Sequence, residues 1–284
     1  MRYHDPDNHE SSGFSRGGYD DPVMEIGMAP FRSILCPVDF SEHSVQALRL
    51  AVGLAGRDQA RLTVLTVNDP LLVDAAAVQY GPDYVGQEAE KALRGLFHSL
   101  VPLLPGWVPG PQFVVRTGIP DAEILACATE HQGDLIVMGT HGLGGYRKIF
   151  FGSVTERVLR KSPLPVFAVP LTAQPLVVFS DRAPIFNLAG VMAPVDFGPD
   201  SERQIRVAAE VAHDFATSLL LVHVVAQTRA HGGLHDLVTA HERTRLKEAR
   251  ERLMRFAQDT RWGIAMDAHV AYGRPADEIT RIAI

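Results

Sequence analysis

The sequence lacks three features that would place it in a well-defined class of proteins. Its 284 residues include only two cysteines, Cys36 and Cys127, too few and too far apart for a disulfide framework or a metal knuckle. The formal net charge is −6, which argues against binding to nucleic-acid phosphates or to an anionic membrane surface. No apolar run approaches the roughly 20 residues that span a bilayer, and the N-terminus has no pattern of a secretory signal. These absences predict a cytoplasmic protein with two buried, reduced thiols.

The composition is that of an ordinary globular protein. Hydrophobic residues make up 46% and charged residues 21% of the chain, enough apolar material for a core in each half. The length predicts about two domains, at roughly 100–200 residues each. Residues 1–30 are rich in Gly, Ser, Asp and His and have few large apolar side chains, so we expect a disordered tail there.

Short apolar runs alternate with helical patterns from residue 31 to residue 170. The runs that predict strands are 33–38, 61–67, 112–116, 134–138 and 166–169. Such alternation predicts an α/β fold with a doubly wound parallel sheet and helices on both faces. Ligands of these sheets bind at the carboxyl ends of the strands. The segments that follow Val38, Val67 and Met138 are therefore the candidate binding loops.

The second half of the chain repeats the first. Pro-Val-Asp-Phe at 37–40 recurs at 194–197, and the Gly-Ile-Pro-Asp-Ala-Glu-Ile of 118–124 has a counterpart at 273–279. No counterpart of residues 134–169 occurs before Ile284. The sequence thus predicts one domain at 31–170, a linker at 171–186 and an incomplete second copy at 187–284.

The clearest binding motif lies between the fourth strand and the next helix. It reads Gly139-Thr140-His141-Gly142, then nine residues, then Gly152-Ser153. Glycines let the backbone approach a phosphate closely, and the N–H groups at a helix start attract anions. Ser153 with Glu156 also fits a capping box, so Ser153 is interpreted either as a phosphate ligand or as a helix cap.

Two further residues near the motif have more than one interpretation. Asp39 is either a ligand-binding carboxylate or the cap of the helix that follows, a role for which Ser41 is equally placed. His141 has no carboxylate partner nearby in sequence, which favours a structural over a catalytic role. We expect no catalytic residues, because the chain has neither a Walker A sequence nor a general base beside the loop. His231, His235 and His241 lack a carboxylate or cysteine to complete a ligand set, so we expect no metal site.

Three segments together resemble the universal stress protein family. They are PVDFS at 37–41, GIPDAEI at 118–124, and the stretch from DLIVMGTHG at 134–142 to FGSVTERVL at 151–159. The nucleotide-binding branch of that family carries Gly-x-x-Gly, nine residues, then Gly-Ser or Gly-Thr. Gly139, Gly142, Gly152 and Ser153 fit this spacing without a gap.

The resemblance implies an ATP site on a five-stranded sheet of order 3-2-1-4-5. It implies Asp39 near the ribose, backbone groups near Val67 at the adenine edge, and Gly139 packed near the ribose. It also implies a divalent cation, commonly Mg²⁺, and dimerisation through the fifth strand, Val166–Val169. The residues expected to contact the nucleotide are Pro37, Val38, Asp39, Val67, Met138, Gly139, His141, Gly142, Gly152, Ser153 and Val154.

Three functions are compatible with these features. The leading hypothesis is a regulatory stress protein that binds ATP. The alternatives are a weak ATPase or adenine-nucleotide-processing enzyme, and a pairing scaffold without bound nucleotide. The intact glycine spacing counts against the scaffold for the first half of the chain.

Overall fold

The computed structural model describes residues 30–100, 110–141, 151–172, 174–226, 235–258 and 263–283, with the backbone alone for 235–240. The disordered tail predicted for residues 1–30 lies outside these ranges except for Pro30, and so does Gly142 of the predicted phosphate loop.

The first half is a five-stranded sheet flanked by helices. Its elements are β1 (Ser33–Pro37), α1 (Glu42–Asp58), β2 (Arg61–Asn68), α2 (Pro70–Tyr80), α3 (Tyr84–Leu100), β3 (Gln112–Thr117), α4 (Pro120–Glu130), β4 (Leu135–Gly139), α5 (Ser153–Lys161) and β5 (Val166–Val169). All four strand pairings are parallel, in the order β3-β2-β1-β4-β5. The predicted fold class and strand order are confirmed.

Two hydrophobic clusters, one on each face, bury this sheet. Because side chains alternate along a strand, Ile34 and Cys36 of β1 belong to one cluster and Leu35 belongs to the other. Both cysteines are buried free thiols, and burial raises the pKa of Cys36. Strands buried on both faces explain why the apolar runs of the sequence are nearly continuous.

The second half begins like the first and has fewer strands. Its elements are β8 (Val191–Pro194), α6 (Ser201–Asp214), β9 (Leu219–Ala226), α7 (His235–Ala257), β10 (Met266–Gly273) and α8 (Pro275–Ala283). The parallel order β10-β9-β8 reproduces β3-β2-β1 of the first half. Within the described residues the second sheet has no counterpart of β4 and β5, as the repeat predicted.

A small antiparallel hairpin connects the two halves. It consists of β6 (Val177–Phe179) and β7 (Pro184–Phe186), where the sequence predicts only a linker. A Cβ on Gly53 of α1 would lie 2.8 Å from Val177 Cγ2, so the hairpin packs tightly on that helix. The guanidinium of Arg57 also lies 5.7 Å from the Phe186 ring and 4.9 Å from the ring of Phe215, at the end of α6.

None of the described helices combines the length and the apolar character that crossing a membrane requires.

Candidate functional site

The carboxyl ends of β2, β1 and β4 form one edge of the first sheet. They lie side by side because the three strands are parallel and adjacent in that order. The pairing of β1 with β2 continues one residue past the end of β1, since the N–H of Val38 donates to the carbonyl of Leu65 at 2.7 Å. Val67 is half-buried near the end of β2, and Met138 is buried near the end of β4. Such an edge is where doubly wound sheets bind their ligands.

Asp39 supports the start of α1 without capping it. Ser41 is the N-cap, and its Oγ accepts from the N–H of Ser44 at 3.2 Å. The N–H and O–H of Ser41 donate to Oδ1 of Asp39 at 3.1 and 2.6 Å. The alternative that Asp39 itself caps the helix is therefore wrong. Asp39 is exposed at the end of β1, where a carboxylate can accept hydrogen bonds from a ligand.

Gly139 allows α1 to pack directly on the end of β4. A Cβ at this position would lie 2.8 Å from the carbonyl carbon of His43, 2.9 Å from its Cβ and 3.0 Å from the N of Ser44. Contacts this short with backbone atoms exclude every larger residue unless the helix moves. This gives Gly139 a structural reason to be glycine, in addition to the place near the ribose that the family resemblance implies.

The helix α5 begins directly across from the end of β4. Thr155 Oγ1 donates to the carbonyl of Gly139 at 2.8 Å, and the N–H of Gly152 donates to the carbonyl of Thr140 at 2.7 Å. Gly152 is the N-cap and makes no side-chain cap bond, while Ser153 is the first helical residue. The predicted capping box is therefore wrong, because Ser153 is one position past the cap. The N-cap glycine offers no side chain to the N–H groups of this first turn, and the N–H groups of a helix N-terminus attract anions.

A buried carboxylate attaches the other end of α5 to α4. Asp121, 2% exposed, accepts from Arg157 Nε at 2.8 Å and from Lys161 Nζ at 2.9 Å. The hydrogen bond from Lys161, followed by that from Arg157, holds the pKa of Asp121 below its ordinary value. Asp121 does not cap α4, whose N-cap is Ile119 and makes no side-chain bond. Asp121 instead links two helices and fixes the direction of α5.

Two histidines meet at a threonine beside the end of β4. The Nδ1 atoms of His43 and His141 lie 3.3 and 3.1 Å from Thr140 Oγ1, and the two rings are 5.1 Å apart. The threonine is buried and fixed, since its N–H donates to Val169 at 3.0 Å. The sequence analysis assigns no role in the site to His43 or Thr140. The sequence pattern that could have indicated His43 is a histidine in the first turn of the helix that follows β1.

The structure brings most of the predicted ligand-binding residues to this one edge. Those described lie at the ends of β1, β2 and β4 or in the first turn of α5; they are Pro37, Val38, Asp39, Val67, Met138, Gly139, His141, Gly152, Ser153 and Val154. Gly142 lies outside the described residues. Among the residues that the structure does describe, no group of three or more His, Cys, Asp or Glu side chains is arranged to hold a metal ion. His231 and the side chain of His235 lie outside that search.

At the corresponding edge of the second half, Asp196 makes contacts like those of Asp39. Asp196 accepts from the N–H of Gly198 at 2.8 Å and from Ser201 Oγ at 3.1 Å, which lower its pKa. Phe197 has a φ of 62°, which matches the 64° of Phe40. Its ring is 4.3 Å from the ring of His223 and 4.5 Å from the guanidinium of Arg252.

The family assignment rests on both halves of the chain. The sequence model of the universal stress protein family matches residues 30–170 and again residues 190–284. The chain belongs to that family. The two matched segments correspond to the two sheets, so this universal stress protein has a tandem arrangement.

Individual relatives match one repeat or the whole tandem. A universal stress protein of Thermus aquaticus is 33% identical over 146 residues, covering 49% of this chain and 98% of its own. A solved universal stress protein of Archaeoglobus fulgidus is 20% identical with a TM-score of 0.61 and covers 90% of this chain and 82% of its own, a likeness of fold alone. Another solved family member is described as a complex with cAMP, at 20% identity and a TM-score of 0.38 over 50% of this chain and 98% of its own. That weaker likeness carries no argument about the ligand of this chain.

Proposed function

We propose that this universal stress protein is a regulatory protein that binds one ATP at the carboxyl edge of its first sheet. The observation that carries the proposal is the start of α5, where the glycine N-cap Gly152 faces the end of β4. The intact Gly-x-x-Gly, nine residues, Gly-Ser spacing from Gly139 to Ser153 supports it from the sequence.

Each part of the nucleotide has suitable groups at this edge. Phosphates suit Gly142, Gly152 and the first-turn N–H groups of Ser153 and Val154, because a helix N-terminus attracts negative charge. The ribose hydroxyls suit the exposed carboxylate of Asp39. The base suits the edge beside Val67, where the half-buried end of β2 offers backbone donors and acceptors together with apolar surface.

The first half also has chemistry that suits a cation bound together with the phosphates. Mg²⁺ in nucleotide sites is commonly held by one or two carboxylates and by the phosphates themselves. In the proposal Asp39, exposed just past the end of β1, would hold the ion together with the phosphates of the bound nucleotide.

We extend the proposal to a cytoplasmic homo-oligomer that pairs through β5, the outer strand of the first sheet. The carbonyls of Pro165 and Val169 accept from β4, so by strand alternation the backbone groups of Ala168 face away from the sheet. Ala168→Pro removes an outward N–H and should convert a dimer to a monomer in sedimentation velocity. An unchanged dimer would place the interface elsewhere.

The test of nucleotide binding is isothermal titration calorimetry with ATP. The wild type should bind at about micromolar to millimolar affinity, a usual range for regulatory sites. Gly142→Val should abolish binding and leave the fold intact, because a side chain blocks the approach of a phosphate to the backbone. Gly95→Val is the matched control, since a Cβ on Gly95 meets no atom within 4 Å. Equal affinity in wild type and Gly142→Val would show that the assigned phosphate loop is wrong.

A further inference from the structure

One buried hydrogen-bond donor at the carboxyl edge of the first sheet has no partner among the residues that the structure describes. It is Nδ2 of Asn68, the last residue of β2, one position past Val67. The residue as a whole is half-buried, as is Val67 before it. Its backbone is held in place, because its carbonyl accepts from the N–H of Gly118 at 3.1 Å. A buried donor without an acceptor is rare in folded proteins and destabilises the fold.

Arg57 carries the other buried side-chain atom that lacks a hydrogen bond within the described ranges, its Nη1. The guanidinium lies 4.9 Å from the ring of Phe215 and 5.7 Å from the ring of Phe186. Attraction between a cation and these rings compensates for the missing bond. The carboxamide of Asn68 has no charge that would gain from such a contact. Its unpaired donor therefore needs another explanation.

The second half shows that this strand position does not require a polar side chain. Leu65 and Val222 are equivalent, since each accepts from the valine of its own Pro-Val-Asp-Phe motif at 2.7 Å. Three residues later, β2 has Asn68 and β9 has Val225. Val225 is 2% exposed, so the same fold buries an apolar side chain at this position. Packing alone therefore does not account for the asparagine, which belongs to the half with the proposed nucleotide site.

We propose that Asn68 binds the base of the nucleotide, with Nδ2 donating to N3 or N7 of the adenine. The inference rests on the proposed nucleotide site. There the backbone at the end of β2 takes one edge of the base, and ring nitrogens at the other edges remain as acceptors. The terminal torsion of an asparagine is broad, so the amide can turn toward a ligand at this edge. Because the donor is already removed from water in the free protein, its bond to the base strengthens binding more than one that replaces a bond to water.

Deaza analogues of ATP test which atom Asn68 contacts. In 3-deaza-ATP and 7-deaza-ATP a C–H group replaces the ring nitrogen, and calorimetry with the full chain measures each affinity. The wild type should bind one of the two analogues about five- to fiftyfold more weakly than it binds ATP. Asn68→Val, which introduces the residue of the second half, should bind ATP more weakly by a similar factor. This variant should bind that analogue as tightly as it binds ATP, because the same hydrogen bond is lost in both cases.

Thermal stability gives a second readout that does not depend on the ligand. Asn68→Val removes the unpaired donor and should raise the melting temperature of the free protein by a few degrees. Val225→Asn is the matched control in the second half. It places an amide at a buried apolar position, so it should lower the melting temperature and leave ATP affinity unchanged.

The outcomes separate this inference from the nucleotide site itself. If wild type and Asn68→Val bind ATP equally well, Asn68 does not contact the base, and the proposed site still stands. If the wild type binds ATP and both analogues equally well, the inference is wrong in the same way. If Asn68→Val is unfolded or less stable than the wild type, the amide has a partner within the fold, which also overturns the inference. A wild type that binds no ATP would overturn the inference together with the proposed function.

Discussion

The two halves of this universal stress protein end their first strands alike and diverge immediately afterwards. Both carry Pro-Val-Asp-Phe, with the phenylalanine at a φ of 64° in one and 62° in the other. In the first half, the strand whose end carries Asp39 adjoins β4, and the last residue of β4 accepts a hydrogen bond from Thr155 of α5. In the second half, Asp196 lies beside a stack of Phe197, His223 and Arg252. The groups proposed to bind phosphates lie on elements that follow β4, so the strand-end motif alone would not supply them.

A second difference lies in how the helix after the third strand is anchored. Asp121 of the first half binds Arg157 and Lys161 of α5. Its counterpart in the second half is Ala276, which carries no polar group. The carboxylate is present in the half that has α5 and absent in the half whose described residues include no such helix. Asp121 thus belongs to the packing that orients the proposed phosphate site.

The largest effect is expected at Gly139, where the halves differ most. Gly139→Val places methyl groups within the space held by His43 and Ser44 and should reduce stability by about 1–3 kcal/mol, as overpacking does. Ser41 at the start of the displaced helix donates hydrogen bonds to Asp39. Displacement of the helix should therefore also move Asp39 and abolish ATP binding. Urea unfolding and calorimetry measure the two effects. A variant with normal stability would mean that α1 tolerates displacement from β4.

The next largest effect compares the two strand-end aspartates. Asp39→Ala should weaken ATP binding by about tenfold to a hundredfold, since a hydrogen bond to a charged group contributes roughly 1.5–3 kcal/mol. Asp196→Ala is the matched change and should leave ATP affinity as in the wild type. If both variants bind ATP equally well and Asp39→Ala loses only thermal stability, the role of Asp39 is confined to the start of α1.

A moderate effect on stability is expected from the anchor of α5. Asp121→Ala removes a buried acceptor of two cations, whose exposed heads can turn to solvent, and should cost about 1–3 kcal/mol at neutral pH. Because the folded pKa is lowered, this stability is present above about pH 4 and is lost as the pH falls through the lowered value. Wild type and variant should therefore converge in acid. A difference that persists below that range would indicate lost packing instead of a lost ion pair.

The smallest effect compares the two phenylalanines. Phe197→Ala removes the ring between His223 and Arg252 and should cost about 0.5–1.5 kcal/mol more than Phe40→Ala, since such stacked contacts are worth that much. Phe40 is 41% exposed and has the same backbone conformation, so strain from the substitution is common to both. Equal losses, measured by urea unfolding, would show that the second-half stack contributes nothing.

The fold followed from the sequence wherever an element buries apolar residues at a regular period. Strands β1 and β4 are buried along nearly their whole length, and their apolar runs predict them. Helix α2 was missed because none of its residues is buried; Leu71 and Val78 are 77% and 90% exposed. The sequence does mark the start of α2, because Asp69 caps the helix and Pro70 occupies its first position.

The candidate site could be predicted from the glycine motif and from the ends of the apolar strands, which point to Asp39 and Val67. The glycines of the loop are close in sequence and their spacing could be read directly. The partners of Asp121 are 36 and 40 residues away, and His43 is 97 residues from Thr140. Such contacts depend on which strands become neighbours, so local patterns indicate neither the ion pairs of Asp121 nor a role for His43.

The central claim is that one half of the chain binds nucleotide and the other does not. Titrating a fixed, limiting amount of protein with ATP measures the number of sites directly. The account predicts one ATP per chain in the wild type and in Asp196→Ala, and none in Gly142→Val. Two ATP per chain would show that residues 187–284 also bind nucleotide, and a site that persists in Gly142→Val would show that the assigned loop does not hold the phosphates; either result would contradict the account.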